Sequence, residues 1–382
     1  MAVLAGIGDL DSIPELSLQV SRRSALRLGR ENRWPTESVL PPQHGDAVID
    51  ITVILGDPDL PFSYNPSNRF EPQDHLAVRR LKEALSTLGE YRFRFLEDHS
   101  CLWQSLHEEC PSLVLNFCNT GYRNKPSHQH HIASMLEMLE LPYAGAAPET
   151  MVLCHHKFLV STLAADLGVP VPRQMLVDSG HADGPLPEDY PVFIKANGGD
   201  GSIGIGPNSV VHDPGSKALS ERVARVAARP VRVDPGLPAG PRIQHRGIRQ
   251  RRGGDHGATS LQIDFSALGE RSTPIMTYDS KVNPDSPYWQ KVRFQPTESE
   301  DARRRMTHAA TRLFERLGCR DYARMDFRAD VAGVPRLIDV NAHPMWGEGG
   351  MLATMTGYQG RNYPQMLESI IEVARARSGL TR

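Results

Sequence analysis

The chain has 382 residues, 40% of them hydrophobic, and a formal net charge of −2. That length supplies two or three domains, each able to bury its own core, and the balanced charge excludes a general nucleic-acid binder, which needs a basic excess. No apolar run reaches the roughly eighteen residues of a membrane span, and Cys101, Cys110, Cys118, Cys154 and Cys319 form no CxxC pair, so they read as reduced cytosolic thiols.

Residues 1–46 are polar and broken, with Ser21-Arg-Arg-Ser24 and Arg30-Glu-Asn-Arg-Trp-Pro35, and lack the apolar core of a signal peptide. They are expected to be a disordered extension, or the product of a start codon placed too far upstream. An α/β pattern then begins, in residues 47–148. Ile49-Asp-Ile-Thr-Val-Ile-Leu55 reads as a buried strand ending in Gly56-Asp-Pro58, and Asp74 to Leu88 as an amphipathic helix with Leu76, Val78, Leu81, Leu85 and Leu88 at helical spacing. Tyr91 to Leu96 and Ser112 to Phe117 read as further strands with a helix between, and such alternation predicts a parallel sheet. Leu115-Asn-Phe-Cys-Asn-Thr-Gly121 ends one strand at the edge where open α/β sheets place ligands. The following helix carries Met135, Leu136, Met138 and Leu139 as expected core. The histidines of His128-Gln-His-His131 and His155-His156 sit at helix starts without carboxylates at ligand spacing, and read as surface or packing residues rather than a metal site.

A second unit covers residues 149–232. Lys157 to Gly168 is a helix closed by glycine, and Val169-Pro-Val-Pro172 cannot continue it. Pro191-Val-Phe-Ile-Lys195 is a strand delivering a lysine to the loop Ala196-Asn-Gly-Gly-Asp-Gly-Ser-Ile-Gly204. Its glycines permit backbone N–H groups to approach phosphate oxygens, and the lysine adds positive charge; taken alone the segment reads sooner as an ordinary turn.

Residues 233–260 break the pattern. Asp234 to Gly254 is crowded with Gly, Pro and Arg and shows no alternation, as a disordered basic loop would. Residues 261–382 resume it. Tyr288 and Trp289 either line a pocket or pack, and Glu300 to Leu317 and Tyr363 to Ala374 are scaffold helices. Arg320 to Asp330 and Leu337 to Pro344 read with period 2 as paired strands around the turn Val331-Ala-Gly-Val-Pro335. Asp326, Asp339 and Asn341 thereby offer three hard oxygens suited to Mg²⁺, with a solvated surface hairpin as the bland alternative.

A lysine opening a helix, a strand lysine before a glycine-rich flap, and paired strands bearing Asp, Asp and Asn resemble, in that order, the ATP-grasp ligases. More narrowly they resemble the D-alanine–D-alanine ligase group, from about Ile49 to the C-terminus. The resemblance implies an α/β (α+β) ATP-grasp fold with an N-terminal domain, a central lid and a C-terminal catalytic domain. It implies that Lys157 and Lys195 contact the α- and β-phosphates of ATP, and that Gly198, Gly199, Gly201, Ser202 and Gly204 close over the β- and γ-phosphates. Asp326, Asp339 and Asn341 would hold Mg²⁺ or Mn²⁺, Arg324 would face the transferring phosphoryl group, and Lys281 would belong to the covering loop. The implied reaction joins a small-molecule carboxylate to an amine through an acylphosphate, in the cytoplasm, with a homodimer as the expected assembly and no nucleic-acid or membrane partner.

Several positions depart from the family. Leu55-Gly-Asp-Pro-Asp-Leu-Pro61 lacks the Gly-Gly-x-Ser-x-Glu signature that holds the first amino group. Val282 replaces the tyrosine after the loop lysine, leaving Ser202 as the matched member of a hydrogen-bonded trio. His343-Pro-Met-Trp-Gly-Glu-Gly-Gly350 replaces Asn-Pro-Gly, and Asp339 stands for the usual glutamate. D-alanine–D-alanine ligation proper is therefore the alternative reading, with a catalytically impaired remnant as another. In residues 233–260 the family has a strand of the Pro-Gly-Arg-Glu-Phe-Ser type; shifted by one nucleotide, codons for Gly240 to Ile248 can encode Gly-Arg-Glu-Phe-Ser-Ile-Gly-Val, which points to a pair of compensating frameshifts.

Overall fold

Ile51, Val53 and Ile54 are at most 1% exposed although they point to both faces of one strand, the signature of a parallel strand covered on both sides. The computed structural model describes residues 48–380 apart from 179–180, 183–189, 199–201, 203–204, 214–230, 235–241, 249–258, 270–273, 278–279, 281–282 and 284. The chain divides into two compact units, Met1–Ala47 and Val48–Arg382; the first, with the expected N-terminal extension, lies outside the described residues.

The first layer runs β1 (Ile49–Ile54), α1 (Pro72–Ser86), β2 (Tyr91–Leu96), α2 (Leu102–Glu109), β3 (Leu113–Asn116), α3 (Gln129–Met138) and β4 (Tyr143–Ala144). The strands form a parallel sheet of order β2-β1-β3-β4, as the alternation predicts. Helix α1 starts with Pro72 behind a capping box of Glu71 and Asp74 and buries Leu81 and Leu85, while Leu76 faces out at 40% exposure. Met135 is core but Met138 is not: it ends α3 at 68% exposure, and after the turn at Glu140 it is Leu141 that returns to the interior. His155 also differs from expectation, since it ends a helix rather than starting one.

Next come α4 (Pro148–His155), α5 (Lys157–Asp166), β5 (Met175–Asp178), β6 (His181–Ala182), β7 (Val192–Ala196), β8 (Val210–Val211) and β9 (Val231–Asp234), the strands in an antiparallel sheet of order β6-β5-β9-β7-β8. A third sheet, antiparallel with order β12-β11-β10-β13-β14, takes β10 (Arg242–Ile248), β11 (Thr259–Asp264), β12 (Arg293–Pro296), β13 (Tyr322–Ala329) and β14 (Pro335–Asn341). Helices α6 (Pro287–Lys291), α7 (Glu300–Arg316), α8 (Met351–Gly357) and α9 (Tyr363–Arg377) complete the order. Ser299 caps α7 by accepting from Ala302 N at 3.2 Å, and Met306, Ala310 and Leu313 turn one face of it inward.

The basic stretch does not stay a loop. Arg242–Ile248 is the middle strand of the third sheet, in register with β11 on one side and β13 on the other. Two flanking ladders satisfy its backbone, and that tertiary pairing overrides a composition with little strand preference of its own.

The last helix packs on the first layer. Met366, Leu367, Ile370 and Ile371 of α9 share a core with Ile51, Val53, Leu81 and Leu85. Asp321, 4% exposed, accepts from Arg377 Nε at 2.7 Å, from a second Arg377 nitrogen at 2.9 Å and from Gly145 N at 2.8 Å, tying α9, β13 and the end of β4 together. Gly145 is required there: its φ is +108°, and a Cβ would lie 2.7 Å from the Tyr322 hydroxyl.

Candidate active site

The hairpin β13–β14 places its polar residues by register. Asp326 faces Asp339 and Arg324 faces Asn341, with a register shift just after Asp326. Two-residue spacing keeps Arg324 and Asp326 on one face of β13. Asp326 is 1% exposed, and its Oδ1 accepts from Arg324 Nε at 3.0 Å. Burial of a carboxylate is tolerated because the guanidinium compensates it.

Two lysines from other elements end on β14. Lys157, at the start of α5, donates from Nζ to Asp339 Oδ1 at 2.8 Å, and Lys195, on β7, donates to the Ile338 carbonyl at 2.9 Å. Both are largely buried, so their charges are screened less than those of a surface pair. Asn197 holds the start of the glycine-rich loop against α5: its carbonyl accepts from Lys157 N at 3.0 Å and its Oδ1 from Phe158 N at 2.8 Å. Ser202 adopts φ +61°, a conformation usually given to glycine. Gly198 is among the described residues; Gly199, Gly201, Gly204 and Lys281 are not. The structure thus brings Lys157, Lys195, Arg324, Asp326, Asp339 and Asn341 to one strand pair.

A second set was not picked out by the sequence. His155 Nε2 bonds Gln129 Oε1 at 3.0 Å, Gln129 Nε2 donates to Asn119 O at 2.9 Å, Asn119 Nδ2 donates to His343 O at 2.9 Å, and His343 N donates to Asn341 Oδ1 at 2.9 Å. This polar chain joins the end of α4, the edge of the parallel sheet and the end of β14. The one available signal was Asn119, in the strand-end segment expected to meet ligands.

At the same edge Asp57 is fully engaged. Its Oδ1 accepts from Asp59 N at 3.0 Å and its Oδ2 from His99 N at 3.0 Å, while Asn124 bonds its backbone in both directions. Cys118 is no nucleophile, since burial pushes its thiol up to about 12. Trp289 is half exposed on α6.

Donor chemistry fits magnesium. Among the described residues no three His, Cys, Asp or Glu side chains converge as a metal cage. Asp326, Asp339 and Asn341 instead offer two carboxylates and one amide oxygen, a set that suits a hard ion whose remaining positions go to water and phosphate oxygens. The rings of His128 and His130 both pack on that of His131, each with its centroid 4.4 Å away, one tilted and one edge-on. Burial first, then the charges of the other histidines, lowers the His128 and His130 pKa values.

Comparison with known proteins points to the same fold. Residues 263–372 match the model of the D-ala D-ala ligase C-terminus. The chain is 28% identical over 253 residues to the uncharacterized protein y4sG of Sinorhizobium fredii, covering 65% of this chain and 70% of that protein. It is 24% identical over 273 residues to the D-alanine–D-alanine ligase of Pelotomaculum thermopropionicum, covering 66% and 77%. Among solved structures, the Bacillus anthracis D-alanine–D-alanine ligase complexed with ATP superposes with a TM-score of 0.62 at 17% identity, covering 87% of this chain and all of that one (100%). The VanG D-Ala:D-Ser ligase of Enterococcus faecalis gives 0.61 at 14% identity, covering 86% and 100%. The fold is that of the ATP-grasp ligases, and the matched domain supports an ATP-dependent carboxylate–amine ligase. Within that fold, residues 263–372 are similar to the D-ala D-ala ligase C-terminus, and the curated relatives include D-alanine–D-alanine ligases.

Proposed function

We propose that the protein activates a small carboxylic acid with Mg-ATP and passes the acyl group to an amine, and that the pair it joins is not D-alanine with D-alanine. The observation that carries the reading is the convergence of three cations on the hairpin of the facing carboxylates Asp326 and Asp339: Arg324 on Asp326, Lys157 on Asp339 and Lys195 on the neighbouring Ile338 carbonyl. A carboxylate resists amine attack. Transfer of the γ-phosphoryl group to one of its oxygens releases ADP and leaves an acylphosphate; the amine then attacks the acyl carbon, loses a proton, and phosphate departs. In this reading Lys157 and Lys195 bind the α- and β-phosphates, and the backbone of the Gly198, Gly199, Gly201, Ser202 and Gly204 loop covers the outer phosphates. Arg324 faces the transferred phosphoryl group, and Lys281 stands on the loop that excludes water from the anhydride. Asp326, Asp339 and Asn341 hold Mg²⁺, which spreads the charge of the transfer when bound.

Substrate choice follows from the sheet edge. Asp57, in the segment where D-alanine ligases carry their glutamate signature, has both oxygens on backbone N–H groups, so it offers an ammonium substrate little. A screen of amino acids and small acids for ADP release tests this; phosphate release that requires D-alanine alone would overturn the substrate claim. Asp326→Asn with wild-type turnover would overturn the assignment of the site. The cytoplasmic setting and homodimer belong to the same proposal, the latter read by light scattering of the purified chain.

Strand β10 supports a further part of the reading. Its register occupies the middle of the catalytic sheet, yet its written residues, Arg242-Ile-Gln-His-Arg-Gly-Ile248, lack the acid expected to contact ribose. Compensating frameshifts across 233–260 would restore Gly-Arg-Glu-Phe-Ser-Ile-Gly-Val to this strand. Resequencing decides it: a continuous frame encoding the written residues refutes the frameshift and favours an impaired remnant, for which Mg-ATP would leave the melting temperature unchanged.

A further inference from the structure

Both lysines of the pocket rest on β14 at consecutive residues, Lys195 on the Ile338 carbonyl and Lys157 on the Asp339 carboxylate. The consequence differs between them. Lys195 bonds a neutral carbonyl, whereas Lys157 neutralises an acid that the proposed metal site requires. Asp326 has its own cation in Arg324, but that guanidinium lies two residues away on the same strand and is charged at all accessible pH. Lys157 is different: it reaches Asp339 from α5, along a flexible stem across 182 positions of sequence.

We propose that Lys157 is the resting counter-ion of Asp339, and that nucleotide and divalent cation therefore bind cooperatively. The inference rests on the reading of this site as a metal–nucleotide pocket. A bare divalent ion approaching Asp339 meets an ammonium already bonded to Oδ1 at 2.8 Å, and the two cations compete for one carboxylate. Phosphate oxygens supply a second anion for the ammonium. When Lys157 turns to them, Asp339 is released to the metal, and by linkage the metal strengthens nucleotide binding by the same factor. The protein then holds neither partner firmly alone, and Lys157 acts as a positioning residue for the metal as well as a phosphate contact.

The test is titration of the full chain with Mn²⁺ in the absence of nucleotide, with free Mn²⁺ followed by electron paramagnetic resonance. Removing the charge in Lys157→Met should tighten Mn²⁺ binding at least about tenfold, within the range usual for coupled sites, while Lys157→Arg should bind Mn²⁺ as weakly as the wild type. Lys157→Gln repeats the measurement if the methionine variant lacks a cooperative melt. Equal Mn²⁺ affinity in the wild type and the uncharged variant overturns the counter-ion role. Binding of ADP with Mg²⁺ to the wild type separates the two levels: if ADP binds and Mn²⁺ affinity does not respond to Lys157, this inference alone falls, and if ADP does not bind, the proposed function falls with it.

Discussion

The edge of the parallel sheet and the β13–β14 hairpin are both rich in buried polar groups, and they satisfy them in opposite ways. At the sheet edge Asp57, Asn124 and His99 bond backbone N–H and C=O groups, so each polar atom is fixed to the chain that carries it. At the hairpin the partners are side-chain charges, Lys157 of α5 with Asp339 of β14, and Arg324 with Asp326 along β13. Backbone bonds of the first kind cannot be exchanged without local unfolding. Ion pairs of the second kind can be traded for a ligand's charges at modest cost, because every group keeps an opposite charge throughout. One region is built to hold shape and the other to re-pair.

That contrast is broken first by Asp326→Asn, which keeps the shape and removes the charge. ATP-dependent phosphate release should fall by about three orders of magnitude or more, the scale of losing a group that stabilises phosphoryl transfer, while the thermal midpoint stays near the wild type. Steady-state phosphate release together with calorimetry reads both. Turnover surviving at more than a tenth of wild type would mean that the hairpin is scaffold.

The staple of Asp321, Arg377 and Gly145 should give the reverse pattern with the largest stability effect. Asp321→Ala leaves Arg377 without its buried acid and strips Gly145 N of its acceptor. Loss of one partner of a buried pair costs about 3–5 kcal/mol, to be read as a reduced midpoint in urea unfolding. A change below about 1 kcal/mol would show that α9 is held by its apolar face alone.

How much of this was legible beforehand depends on the range of the contact. The hairpin was readable because strand period and a short turn are local, and they bring Asp326 and Asp339 into register without help from the rest of the chain. The parallel sheet was readable from alternation for the same reason. The chain from His155 through Gln129 and Asn119 to His343 was not, since its longest link spans 224 positions and no spacing rule connects them. Met138 misled because helical spacing alone does not say where a helix outruns the core. Arg242–Ile248 misled in the other direction: its composition gives no strand, and two neighbouring ladders do.

A smaller effect sharpens the comparison from the sheet edge. Asp57→Ala removes the acceptor of His99 N and Asp59 N, and leaving such a buried donor unpaired costs about 1–3 kcal/mol. If Asp57 is fixed as described, unfolding should shift while the KM for ATP stays constant. A raised KM for the carboxylate substrate with unchanged stability would instead place Asp57 in the substrate pocket.

The smallest expected effect concerns pH, and it arises beside the sheet edge, where α3 begins. His128 is pushed below the ordinary histidine range by burial and then by His131 and Lys125; His130 is pushed down by burial and then by His131, His155 and His128. Folding therefore favours their neutral forms. The stability they contribute is present above the unfolded value of about 6.5 and is lost as pH falls from there through the lower folded values, because the unfolded chain binds more protons. Protonation would also set positive charge at the N-terminal end of α3, the unfavourable end of its dipole. The melting temperature should fall between pH 7 and pH 5, and the double variant His128→Gln, His130→Gln should fall less steeply. An unchanged slope would place the acid-sensitive charges elsewhere.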